Sequence, residues 1–278
     1  SRRVERGNLF VAVSGFQTDG HQYIPKAMAA GAACVVCEKK PEADVPYIRV
    51  PDARAALAAL GANWFGHPAD KLCMIGFTGT NGKTTTAGML RHMLDKAGTA
   101  YFSNRSGANL TSGITAEFIE NADLLGKPKK TLAVIECDEA ASKTVLKYLK
   151  PEVIVATNVF RDQLDRYGEI THTLNAIREG ITHVPDATLC LNADCSLTAS
   201  LAEDGIPNPV IRFGVNVPIY SETAHELSDA VYCIHCKTQY EYDYRTYGHL
   251  GGFRCPKCGY CQPQTDVAVA KEIGRAHV

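Results

Sequence analysis

Apolar and polar positions follow two rhythms along this chain: short apolar runs, and longer stretches of helical period. Residues 9–13 (LFVAV), 33–37 (ACVVC) and 47–50 (YIRV) are runs of strand length, and Ala-rich helical stretches occupy 24–31 and 53–65. Asp52 stands just ahead of the second helix, where its carboxylate is placed to accept an orphan N–H of the first turn. GHPADKL (66–72) then breaks the rhythm and reads as a linker. The pattern predicts a small α/β domain over residues 1–70.

From residue 71 the alternation restarts with stronger strands at 72–77, 131–136, 152–157 and 187–192. Helical patterns fall near 84–97, 112–122, 140–148 and 170–182. Near-continuous apolar strands separated by helices predict an α/β fold whose mainly parallel sheet is covered on both faces. Ligands in such sheets sit at the carboxyl ends of the strands. Polar clusters stand at three of those ends, residues 78–85, 136–139 and 158–168, so the pattern expects them to converge. Over 223–264 aromatics, Gly and paired Cys replace the aliphatic runs, which marks a small metal-stapled module inserted in a central domain of 71–222. Residues 265–271 then read as the return to that domain.

Composition narrows the function classes. The 278 residues are 45% hydrophobic and 21% charged, with room for two globular domains. A net charge of −1 supplies no bulk attraction to nucleic acid or to an anionic membrane. No apolar run approaches the roughly 20 residues of a transmembrane helix. The opening SRRVERGNLFVAV lacks the apolar core of a signal peptide. Eleven cysteines without an export signal point to a reducing compartment, cytoplasm by default, with some thiols binding metal.

The strongest local signal is FTGTNGKTTTAGML (77–90). Gly79, Thr80, Asn81, Gly82, Lys83, Thr84 and Thr85 follow an apolar strand and open a helix, the setting of a phosphate-binding loop. Glycines let backbone N–H groups curl round an anion, and the helix N-terminus adds its positive dipole end. Lys83 is placed to reach the β- and γ-phosphates, and Thr84 to offer its hydroxyl to Mg²⁺. Phe77 stands where the strict motif has its first glycine. Glu136, Asp138 and Glu139 cluster at the next strand end, where a carboxylate suits Mg²⁺ and an acidic residue equally suits a helix N-cap. After the third strand come Asn158, Arg161, Asp162, Asp165 and Arg166, read either as ligand contacts or as a solvated loop.

Cys233-x2-Cys236 and Cys255-x2-Cys258 have the spacing of a four-thiolate zinc ribbon. Four thiolates leave no coordination position for water, so the expected Zn²⁺ is structural. Cys34 and Cys37 share the CxxC spacing but lie in a strand, where core packing is the expected role.

These residues resemble the Mur ligases, enzymes of peptidoglycan synthesis that use ATP to turn a carboxylate into an acyl phosphate, which an amine then attacks. Residues 1 to about 85, with GHQYI, GAACVVCE and GTNGKTTT, are similar to the MurE branch, which adds the third amino acid to a UDP-linked dipeptide. That resemblance implies substrate contacts by Ser1, Arg2 and His21. From about residue 90 the chain is similar to the MurT branch, the ligase-like subunit that amidates D-Glu of lipid II with ammonia from a glutaminase partner. NRSGANLTSGITAEFI, IECDEA, TNVFRDQLDRYGE and the cysteine ribbon carry that part.

The resemblance further implies ATP contacts by the 79–85 loop with Asn158, and catalytic roles for Lys83 and Glu136, the latter as a Mg²⁺ ligand. Gln163 stands where many relatives have a metal-binding His, and Cys195-Ser196 where Asp-Pro is usual. The family's C-terminal domain is expected to be missing, and EIGRAHV (272–278) reads as an adapter-derived tail. The expectation is therefore a truncated ligase, inactive alone, joined from two branches at the GTNGKTTT stretch. A MurE-type UDP-MurNAc-peptide ligase is the alternative within the family. A nucleic-acid-associated NTPase with a zinc ribbon is the alternative outside it, disfavoured by the near-zero charge.

Overall fold

The computed structural model describes residues 4–14, 19–64, 72–104, 108–123, 127–159, 169–203, 205–217 and 231–269. They fall into two compact units, residues 1–68 and 69–278.

The first unit is a three-stranded parallel sheet, β1 (Leu9–Val11), β2 (Cys34–Cys37) and β3 (Tyr47–Arg49), in that order. Helices α1 (Ile24–Ala29) and α2 (Ala53–Trp64) follow the Ala-rich stretches. Phe10, Ala12, Val35 and Cys37 pack with Ile24 and Ala27 into its core, so Cys37 is a packing residue; Cys34 is half-buried. Asp52 caps α2 as expected, its Oδ1 accepting from the N–H groups of Arg54 (2.8 Å) and Ala55 (3.0 Å).

The second unit runs β4 (Cys73–Thr78), α3 (Lys83–Lys96), β5 (Tyr101–Ser103), α4 (Thr111–Glu120), β6 (Leu132–Glu136), α5 (Glu139–Val145) and β7 (Val153–Ala156). It continues with α6 (Glu169–Thr182), β8 (Thr188–Asn192), α7 (Ser196–Ala199), β9 (Val210–Val215), β10 (Glu241–Tyr247), β11 (Leu250–Arg254) and β12 (Val267–Val269). Seven strands form one sheet in the order β12-β9-β8-β7-β4-β6-β5, every pairing parallel. Alternate residues serve opposite faces. Phe77 and Val134 pack under α3 with Ala87, while Met74, Ala133 and Ile135 pack under α4 and α5 with Ile114 and Val145. The chain order runs from β4 outward to β5, returns through β6 and crosses to β7. That reversal beside β4 opens a crevice at the carboxyl ends of β4, β6 and β7.

Three strands of this sheet, β5, β9 and β12, were not among those the apolar pattern predicts, nor was the hairpin β10–β11. β5 and β12 have three residues each, and Arg212 interrupts the apolar run of β9.

The inserted module is an antiparallel hairpin, β10–β11, flanked by two Cys-x-x-Cys knuckles. The knuckles are built alike. Lys237 N–H donates to Cys233 O (2.9 Å) and Gly259 N–H to Cys255 O (3.1 Å), closing equivalent turns. Gly259 takes φ +79 there, and Lys237 takes φ +61, a left-handed conformation that costs a side-chain-bearing residue about 1–2 kcal/mol. Lys237→Gly is therefore expected to stabilise the module by about 0.5–1 kcal/mol after the extra unfolded-chain entropy of glycine, read as a higher urea midpoint.

Aromatic rings dock the module on α7. Tyr240, Phe253 and Tyr260 pack around Ala199, and the Tyr260 hydroxyl donates to Ser196 O (2.7 Å). Beneath them Cys195 Sγ lies 3.6 Å from His249 Nε2, both side chains fully enclosed. Burial alone would push the Cys195 thiol up. The His249 hydrogen bond and charge, with backbone contacts from Val159 and Thr198, bring it down instead to about 7. A folded-state value below the unfolded one means the thiolate stabilises the fold above the unfolded value, and this contribution is lost as pH falls through about 7. Between pH 7 and 9 the stability difference between the native chain and Cys195→Ala is expected to grow by on the order of 2 kcal/mol, measured by urea melts across that range.

Candidate functional site

The loop between β4 and α3 turns in a space that only glycine fits. Gly79 has φ +116, and a Cβ there would lie 2.6 Å from both Asn158 O and Thr157 Oγ1. Gly79→Ala is expected to cost about 2–6 kcal/mol of stability through backbone strain and overlap, measured by denaturant melts. The adjoining loop is held from β7. Thr80 N–H donates to Asn158 O (2.7 Å), Asn81 N–H to Asn158 Oδ1 (3.0 Å), and the Thr157 hydroxyl to Asn81 O (2.7 Å). Asn158, expected as a nucleotide contact, here shapes the loop.

At the mouth of α3 the N-cap is Gly82, left-handed and without a side-chain capping bond. The first-turn N–H groups of Lys83, Thr84 and Thr85 have no intrahelical acceptors, and the helix dipole adds positive potential there. This 14-residue helix thus presents donors suited to an anion.

Four charged side chains converge beside it. The Thr84 hydroxyl donates to Glu136 Oε2 (2.7 Å), and Arg91 NH1 lies 3.1 Å from Glu136 Oε1. Lys83 Nζ lies 3.1 Å from Glu139 Oε1 and also donates to Gly79 O. Glu136 is 3% exposed, with its backbone fixed by Asn104: Glu136 N–H donates to Asn104 Oδ1 (2.9 Å), and Asn104 Nδ2 donates to Glu136 O (2.7 Å). Thr84 and Glu136 thus present a hydroxyl and a carboxylate together, the hard oxygen donors that suit Mg²⁺. Asp138 takes the capping role, accepting from Ala140 N–H (3.0 Å) and Ala141 N–H (3.4 Å) at the start of α5. Burial pushes the neighbouring Cys137 thiol up to about 12, which leaves it neutral and inert.

The predicted residues of the 79–85 loop and Glu136 therefore meet in one place. Arg91 and Asn104 join them unpredicted. Arg91 lies seven residues after Thr84 on one face of α3, a spacing that was open to sequence reading; Asn104 directly follows β5, a strand that the apolar pattern missed. Ser1, Arg2, Arg161, Asp162, Gln163, Asp165, Arg166 and the 272–278 tail lie outside the described residues. His21 is engaged within its own unit. Its Nδ1 meets Asp19 Oδ1 at 2.6 Å, and its Nε2 accepts from the N–H groups of Glu38 (3.2 Å) and Lys39 (3.4 Å). The His21 backbone and ring hold the Asp19 carboxyl well below the usual range. These bonds make His21 a fastening of the turn to the end of β2.

The four ribbon sulfurs of Cys233, Cys236, Cys255 and Cys258 all lie within 4.8 Å of one another and form no disulfide. That compact all-thiol donor set fits a tetrahedral Zn²⁺. Cys261 is exposed and does not belong to the cluster. At the end of β8, Asp194 accepts from Val215 N–H (2.8 Å) and Gln262 Nε2 (2.6 Å), tying the sheet to the ribbon's exit. Burial pushes the Asp194 carboxyl up, against those two hydrogen bonds.

Residues 77–246, which contain the 79–85 loop, Glu136 and Glu139 and run into the first strand of the hairpin, match the Mur ligase middle domain. The chain belongs to the Mur ligase family. Residues 1–65 match a second domain of the same Mur ligase family, described as its catalytic domain. Among curated Mur ligases, the chain is 37% identical over 197 residues to the lipid II isoglutaminyl synthase (glutamine-hydrolyzing) subunit MurT of Streptococcus pneumoniae, covering 70% of this chain and 43% of that protein. It is 52% identical over 103 residues to the UDP-N-acetylmuramoyl-L-alanyl-D-glutamate–2,6-diaminopimelate ligase of Chlorobaculum tepidum, covering 36% of this chain and 20% of that one. The crystal structure of MurF from Acinetobacter baumannii superposes with a TM-score of 0.54 at 26% identity, covering 77% of this chain and 46% of that chain. The chain thus spans less than half the length of these Mur ligases. No described helix is long and apolar enough to cross a membrane.

Proposed function

We propose that this chain carries the nucleotide-binding core of an ATP-dependent carboxylate–amine ligase of peptidoglycan synthesis, of the MurT type, acting on D-Glu of lipid II with ammonia from a glutaminase partner. The observation that carries the ligase reading is the convergence of Lys83, Thr84 and Glu136 with the uncapped N-terminus of α3 at one crevice. The MurT type is favoured by the four-cysteine cluster, which the resemblance places in the MurT branch, together with 37% identity over 70% of the chain.

Under this reading the first-turn amides of α3 and Lys83 bind the phosphates of ATP, while Thr84 and Glu136 hold Mg²⁺. The metal supplies charge neutralisation at the transferring phosphoryl group. The substrate carboxylate oxygen attacks the γ-phosphorus and ADP leaves; ammonia then attacks the acyl carbon and phosphate leaves. Lys83 stabilises charge on the phosphoryl oxygens as they move. Arg91 fixes one oxygen of Glu136, leaving the other beside Thr84. Zn²⁺ on the four cysteines is structural. The proposed domain division is 1–70 for a UDP-substrate domain, 71–222 for the ATP-binding domain, 223–264 for the ribbon and 265–271 for the return to the sheet.

A second reading keeps the ligase class and assigns MurE-type addition of a diamino acid to UDP-MurNAc-L-Ala-D-Glu. The 52% identity over 103 residues favours it. ATP turnover separates the two: stimulation by a lipid-linked precursor with a glutaminase supports the first, and stimulation by the UDP-linked dipeptide supports the second. Stimulation by DNA or RNA alone would defeat both.

A further inference from the structure

Two of the three N–H donors of Lys83 are taken by acceptors of the protein itself. Its ammonium donates to Gly79 O and pairs with Glu139 Oε1 at 3.1 Å, with the two side chains only 10% and 11% exposed. The phosphate-binding reading needs that same ammonium and gives Glu139 no task. We propose that Glu139 is a built-in counter-ion for the phosphate-loop lysine, so that a nucleotide's phosphates bind by displacing a carboxylate rather than by filling an open site. The inference rests on the phosphate-loop reading and adds a positioning residue to it.

Two features suit Glu139 to this exchange. It is the first residue of α5, where the helix dipole favours a carboxylate whether or not Lys83 is beside it. Glu136, by contrast, is tied by Thr84 and Arg91 and by the Asn104 clasp on its backbone, and stays in place. The pair therefore has one partner that is anchored favourably alone and one on a long flexible stem. With nucleotide absent, an unpaired ammonium in this buried position would be costly, and Glu139 removes that cost. With phosphates present, the same carboxylate competes with them. Its removal should then weaken the empty chain and tighten the loaded one, the reciprocal signature of a competing internal ligand.

The test uses the full-length chain in five forms: native, Glu139→Gln, Glu139→Asp, Lys83→Met and the double variant Lys83→Met/Glu139→Gln. ADP is titrated by calorimetry, and thermal melts are run with and without saturating ADP. Glu139→Gln is expected to bind ADP at least about tenfold more tightly, with a lowered melting temperature that ADP restores. Glu139→Asp, whose shorter stem lengthens the pair, is expected to fall between native and Gln. Both Lys83→Met forms are expected to bind more weakly than the native chain, and Glu139→Gln is expected to gain much less in that background than its roughly tenfold gain in the native one, because no ammonium remains to compete for. Equal or weaker ADP binding by a cooperatively melting Glu139→Gln overturns the proposal, as does an unchanged affinity in Glu139→Asp if the Gln variant does not fold. Native binding that Lys83→Met abolishes but neither Glu139 variant changes overturns the counter-ion alone. Absence of binding in every form, native included, overturns the phosphate-loop reading and the counter-ion with it.

Discussion

Nucleotide binding by the Lys83→Met chain is expected to weaken by about 2–5 kcal/mol, some 30-fold or more, because the loop loses the one side-chain cation placed to meet the phosphates. The single variant also leaves Glu139 without its ammonium partner; breaking a buried pair from one side costs up to about 3–5 kcal/mol of stability, of which the N-terminus of α5 offsets part. Reduced binding in that variant could therefore be mistaken for partial unfolding. Lys83→Met/Glu139→Gln removes both charges and is expected to recover most of the melting temperature while leaving ADP binding weak. Calorimetry on the double variant is the decisive measurement: native-like affinity in a stably folded double variant would remove Lys83 from the site.

Metal removal is expected to give the largest loss of structure. Apparent binding free energies of structural zinc in small modules reach about 10–16 kcal/mol at neutral pH, and that energy is folding energy. The ribbon has little else to hold it: one hairpin, two knuckles and a cluster of aromatic rings. A chelator, or Cys255→Ser, is expected to abolish the near-ultraviolet dichroism of packed Tyr240, Tyr242 and Tyr260 while the far-ultraviolet signal of the α/β sheet largely persists. Elemental analysis is expected to find one zinc per chain in the native protein and none after Cys255→Ser. Cys37→Ala, which removes a buried thiol from the first unit's core, is expected to leave the zinc content unchanged.

Much of the fold was legible because its signals are local. The strand at 72–77, the helix after Lys83 and the Asp52 cap need only apolar runs, a phosphate-loop spacing and one carboxylate ahead of a helix. The cysteine quartet was legible for the same reason, since four ligands at two fixed spacings leave few alternatives. β5 and β12 were not, because three residues are too few to show a period and their strand character comes from pairing with neighbours. The site divides in the same way. Glu136 was found by its place at a strand end. Which of Asp138 and Glu139 would cap α5 and which would meet Lys83 depended on the placement of β4 against β6, a long-range pairing that no window of sequence contains. His21 was selected by resemblance, and no local pattern announced the bonds of its ring nitrogens to the Asp19 carboxylate and the Glu38 N–H.

The ribbon also does work usually given to a helix. β9 and β12 are parallel neighbours, with Phe213 opposite Val267 and Val215 opposite Val269, and parallel strands require a crossover connection. Here that crossover contains the four-cysteine module. Loss of the metal would loosen the tether that holds β12 in place, and β9 would become the open border of the sheet. Unpaired strand borders recruit other chains. Metal supply would thereby govern colloidal behaviour as well as folding: a zinc-starved preparation should self-associate through β9 before the glycine loop after β4, three strands away, is disturbed.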